Sequence, residues 1–164
     1  MRRPTHADAE LLLRLYEIRR EPELRQARQW FLTEFKPTGW MEIKLRYLSH
    51  SDEDRRFRMT TSYWEMVATL VNRGVLHAEL FFDHTGEDIV TWERIKPWVA
   101  EARSAIRPTY LYQRERMVEE HHAFRKRTIA EREAKAGGNG AKGALVVRTL
   151  GGKSKAARRA RVRS

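Results

Sequence analysis

Apolar residues recur along this chain at the three-and-four spacing of amphipathic helices, and the residues between the stripes are those that start and stop helices. Thr5, followed three residues later by Asp8, forms a capping-box pattern, and Leu11, Leu12, Leu15 and Ile18 then share one face to about residue 19. Pro22 suits a first helical position, where a missing N–H costs nothing. Leu24, Ala27, Phe31 and Phe35, with Trp30 beside them, make a second stripe that stops at Lys36-Pro37. These two stripes read as antiparallel helices joined by a tight turn.

After Thr38-Gly39 a short segment carries Trp40, Ile43, Tyr47 and Leu48. Ser51 with Asp54 gives a second capping box, and the helix it starts is expected to reach Arg73 with Phe57, Trp64, Val67, Ala68 and Val71 inward. Gly74 is placed for the left-handed residue beyond a last turn, with Val75 folding back on Leu70. A short helix over residues 76–82 follows, then a turn at His84-Thr85-Gly86. Ile89, Trp92, Ile95, Val99, Ala102 and Ile106 mark another helix, which Pro97 should kink or break near Ile95-Lys96. Pro108 opens a last, highly charged helix to about Ala136. The fold class is therefore all-α, a compact bundle of about five to seven helices with a long charged C-terminal helix.

Composition narrows the function classes. A length of 164 residues fits one domain with appendages. The chain has no cysteine, which excludes disulfides, thiolate metal sites and cysteine nucleophiles, and suits a reducing cytoplasmic location. No apolar run approaches the roughly 18 residues a membrane helix needs. The start, Met1-Arg2-Arg3-Pro4, lacks the apolar stretch of a signal peptide.

The net charge of +11 is unevenly spread. Of the 33 basic residues, eight lie in residues 137–164, which contain no acidic residue; the remaining 25 face 22 acidic ones in residues 1–136, leaving +3 there. Composition shifts at the same place, because Gly137-Gly138-Asn139-Gly140 combines backbone freedom with no anchoring side chain. The expected division is a helical core over residues 1–107, a charged helix over 108–136 and a flexible, disordered basic tail over 137–164. The tail's apolar patch, residues 144–150, is too small to offset its own ordering entropy and should order only against a partner or the body.

The run from Thr61 through Tyr63-Trp64-Glu65 to Gly74-Val75-Leu76, followed by Asp88-Ile89-Val90-Thr91-Trp92, resembles a family of small helical bacterial proteins known only as a domain of unknown function. The likeness covers about residues 8–107. It implies an α-helical fold and brings no activity, ligand or catalytic residue.

Candidate chemistry is sparse. Glu65 sits beside Trp64 and Met66, where burial would raise its pKa and suit it to general-acid work; the alternative is an ion pair with Arg14 or Arg28. No nucleophile–base pair accompanies it. Glu119-x-x-His122 has the spacing of one half of a di-iron site, but no second Glu-x-x-His occurs. Asp83, His84, Glu87 and Asp88 surround a glycine turn without calcium-loop spacing, and acidic residues suit a helix N-terminus anyway. His121 and His122 read as a solvated helix surface, and the tryptophans and phenylalanines as core. No phosphate loop occurs, and no metal or other cofactor is expected.

The tail is the main functional lead. Lys153, Lys155, Arg158, Arg159, Arg161 and Arg163 suit salt-sensitive binding to RNA or DNA phosphates, without base specificity because no aromatic residue is present to stack. The alternative is a tether in which Leu145, Val146, Val147 and Leu150 dock on a protein partner. A small helical enzyme built on Glu65 is the remote third reading. The expectation is a non-enzymatic binding or adaptor protein, with its oligomeric state open.

Overall fold

The computed structural model describes residues 2–160, with side chains described through Ala136. Its regular elements are eight helices, with no strand among the described residues: α1 (His6–Arg20), α2 (Pro22–Thr33), α3 (Trp40–Arg46), α4 (Asp52–Asn72), α5 (Ala78–Phe82), α6 (Glu87–Glu93), α7 (Val99–Ala105) and α8 (Tyr112–Ala160). Residues 1–122 form one compact unit and residues 123–164 a second. The expectations for a glycine hinge, an apolar patch and a basic run within residues 137–164 concern side chains outside the described residues.

The expected caps form. Thr5 Oγ1 accepts the Asp8 N–H and the Asp8 carboxylate accepts the Thr5 N–H at 2.8 Å, closing the box at the start of α1. Asp8 also accepts from the Arg2 guanidinium and from the His77 N–H at 2.8 Å, so one buried carboxylate joins α1 to the chain leaving α4. Those bonds, the one from Arg2 foremost, hold its carboxyl well below the usual carboxylate range. The box at Ser51 is only half built. Ser51 Oγ accepts the Asp54 N–H, but Asp54 turns its carboxylate to the His50 N–H and to Arg58.

α4 ends as the sequence indicates. Gly74 takes φ +69°, and the N–H groups of Val75 and Leu76 both donate to the Leu70 carbonyl, at 3.0 and 3.1 Å. Leu76 is the residue this corner buries; Val75 stays exposed. The stripe over residues 89–106 breaks in two around Pro97, giving α6 and α7. Arg94, in that break, donates to the carbonyls of Phe31, Leu32 and Phe35, the acceptors left open where α2 ends. Residues 108–111 form turns instead of helix. Leu111 adopts a left-handed φ of +52°, so α8 starts at Tyr112, four residues after Pro108.

One core cluster runs through Trp30, Phe31, Phe35, Ile43, Tyr47 and Phe57 into Trp92, Ile95 and Trp98. Phe31 stacks on Phe35 at 4.4 Å between centroids, and Tyr47 meets Phe35 edge-on at 4.8 Å. Four of the five tryptophans are buried and Trp40 is half-buried, so the aromatic stripes are packing, as the pattern indicated. α2 packs most extensively on α4. α1 is less well covered: Leu15 is its one buried apolar residue, while Leu13, Tyr16 and Ile18 are exposed.

Candidate functional site

α6 opens with Glu87 and Asp88, and their carboxylates go to different places. Glu87 meets two arginines. Arg19 of α1 donates to Oε2 at 2.5 Å, and Arg28 of α2 donates through Nε to Oε1 at 2.6 Å and through Nη2 to Oε2. Arg28 also bonds the Arg19 carbonyl at 2.8 Å, which locks the α1–α2 corner. Burial pushes the Glu87 carboxyl up, but the bonds and charges of Arg28 and Arg19 outweigh it, and the group ends below its ordinary value.

Asp88 points the other way. His121 of α8 donates from Nδ1 to Asp88 Oδ2 at 2.7 Å, and the imidazole stacks on the Phe82 ring at 4.4 Å. Arg114 of α8, also fully buried, bonds the Thr91 hydroxyl. Burial lowers the Arg114 pKa to about 9, against the opposing pull of Asp88 and Glu65. Asp88 Oδ1 and the Nε and Nη1 of Arg114 have no hydrogen-bond partner among the described residues. His121 is therefore not on a solvated surface. It follows Arg114, Met117 and Val118 at helical spacing, and that inward stripe is the signal that would have found it.

Glu65 is half-buried on α4, and neither Arg14 nor Arg28 is its partner: Arg14 pairs with Glu17 and Arg28 with Glu87. Its carboxylate instead accepts the N–H groups of Gln113 and Arg114 at 3.2 and 3.0 Å, capping α8 from a different helix. Asn72 adds a bond to the Gln113 carbonyl at 2.7 Å. An open groove of about 540 Å³ passes Glu65, Arg58 and Tyr110, whose phenol burial pushes up to about 12.

A second groove, of about 350 Å³, lies between α1, α4 and the α5–α6 region. Leu12, Leu13, Leu15 and Tyr16 form one wall, and Tyr63, Trp64 and Phe81 the other. Arg19, His84 and Thr85 supply its polar part. Tyr63 donates to the Leu15 carbonyl at 3.0 Å, and Arg19 lies 5.8 Å from the centroid of the Trp64 ring. Nothing in the sequence marked this groove, because its walls come from segments about fifty residues apart.

Among the described residues, no three His, Asp or Glu side chains gather as a metal site, and no helix is long and apolar enough to cross a membrane. Lys153, Lys155, Arg158, Arg159, Arg161 and Arg163, together with Leu145, Val146, Val147 and Leu150, have side chains outside the described residues.

Eight helices, tied together by partly and fully buried carboxylates, define an all-helical domain among the described residues. The chain belongs to the family described as Domain of unknown function (DUF4760), which matches residues 4–121. The match reaches beyond residue 107 into the part of α8 that carries Arg114 and His121. No curated protein and no solved structure matches the chain.

Proposed function

We propose that this is a non-enzymatic binding protein that holds RNA or DNA through its basic tail, by charge and without reading sequence. The observation that carries this reading is the charge distribution: eight lysines and arginines and no acidic residue in residues 137–164, beside a nearly balanced body. A cationic segment displaces the counterions of a phosphate backbone, which favours binding and makes it sensitive to salt. The non-enzymatic part is supported by the sealing of Asp88, His121 and Arg114 away from solvent and by the capping role of Glu65.

Fluorescence anisotropy of labelled RNA and DNA, with the full chain and a truncation ending at Ala136, tests this across a salt series. Six to eight phosphate contacts give a fall in affinity of about 10³-fold or more between 50 and 200 mM salt. Only the full chain should bind. Failure of both forms to bind at low salt overturns the reading.

A second reading rests on the single apolar run in the tail, residues 144–150. There the tail tethers the helical domain to a protein partner, and binding survives high salt but is lost on substitution of Val146 and Leu150.

A further inference from the structure

The groove beside α1 has two properties that a merely structural crevice does not need. Its mouth carries large apolar side chains facing solvent, Leu13 at 64% and Tyr16 at 53% exposure. Its polar part carries more positive than negative charge among the described residues. Arg19 and Arg28 are mostly shielded from water, with side chains 21% and 11% exposed, and both converge on the single carboxylate of Glu87. Two guanidinium charges against one carboxylate leave one cation in excess where water screens it poorly. Arg19 is the member of that trio that lines the groove.

We propose that this groove binds a small apolar monocarboxylate, an aliphatic or aryl acid, with its body between α1 and α4 and its carboxylate toward Arg19. The charge sets the head group. One uncompensated cation matches one negative charge, and a planar carboxylate suits the guanidinium fork that Arg19 presents. The volume sets the body: 350 Å³, at the ~30 Å³ that a water-sized group occupies, admits on the order of ten non-hydrogen atoms, at the lower end of small-ligand sites. The walls select against a peptide C-terminus. A peptide would bring N–H and C=O groups between leucine and aromatic side chains, and the Tyr63 hydroxyl hydrogen is already given to the Leu15 carbonyl. Such a ligand would cover Leu13 and Tyr16 and pair the excess charge in one step.

Isothermal titration of the full chain with decanoate tests this, with decan-1-ol and decyltrimethylammonium as neutral and cationic probes of the same chain length, the two ions below their micelle concentrations and the alcohol below its solubility limit. Decanoate should bind saturably at one site per chain, at least about ten-fold more tightly than either control. Arg19→Met should reduce decanoate affinity at least about ten-fold and change decanol affinity much less, because Met keeps an apolar stem in the groove wall while the charged contact is lost. Should Arg19→Met fail to fold, Leu13→Glu serves, since Leu13 is exposed at the mouth; it should repel decanoate and weaken it to a similar degree. Absence of saturable binding, equal affinity for the three probes, or decanoate binding indifferent to both substitutions overturns the proposal.

Discussion

Glu87 and Asp88 are neighbours on the first turn of α6, yet they belong to regions with opposite designs. Asp88 lies in a closed centre in which carboxylate, imidazole and guanidinium are all at 0% exposure. Glu87 lies beside an open groove, where two arginines share it and one of them lines the groove wall. In the closed centre, charge is confined by protein on every side, so its contribution is to hold α6 and α8 in one arrangement. Beside the groove, the surplus charge has access to the outside. Burial with a partner marks structure, and burial with surplus charge beside an opening marks capacity to bind.

The largest effect should follow from breaking the closed centre. Asp88→Ala leaves Arg114 and His121 without their carboxylate, and uncompensated buried charge of this kind costs about 3–5 kcal/mol. Urea unfolding should show the midpoint falling steeply with little change in slope. A loss below about 1 kcal/mol would mean that the centre does not tie α6 to α8.

A smaller effect is expected at the neighbouring carboxylate. Glu87→Gln removes the charge that Arg19 and Arg28 share, at a cost of about 1.5–3 kcal/mol, the range for hydrogen bonds to charged groups. The same substitution frees Arg19, so decanoate should bind more tightly even as the protein becomes less stable. Opposite signs for stability and affinity at residue 87, read by urea melts and calorimetry on one preparation, would sharpen the contrast with residue 88.

The smallest expected effect is on the acid limb. Because the Glu87 carboxyl is lowered in the folded protein, its contribution is complete above its ordinary pKa and is lost as pH falls through its lowered native value. Stability of the native chain should therefore decline with acid below about pH 4.5, the ordinary value for a glutamate. Glu87→Gln should show a shallower decline over the same window; identical slopes would mean that Glu87 is not ionised and paired.

Much of the fold was legible in sequence. The caps at Thr5 and Ser51, the left-handed Gly74 and the break at Pro97 are local, set by the chemistry of a few adjacent residues, and the structure shows each of them, with Ser51's box half closed. The start of α8 was misplaced for a local reason: Pro108 can open a helix, but the left-handed Leu111 delays it to Tyr112. Glu65 drew attention as a carboxylate among apolar neighbours, but its partners are backbone N–H groups of Gln113 and Arg114, some fifty residues onward, which no pattern around residue 65 announces.

The sequence by itself determined the helical class, the caps at Thr5 and Ser51, the left-handed corner at Gly74 and the break at Pro97, because those choices depend on neighbours within about one turn. It also determined the charge asymmetry between residues 1–136 and 137–164. Only the tertiary structure decided that Glu87 serves Arg19 and Arg28 while Asp88 serves His121, and that α1, α4 and α5 leave a groove between them. Side chains one residue apart on a helix point about 100° away from each other, so neighbours in sequence take partners from different helices.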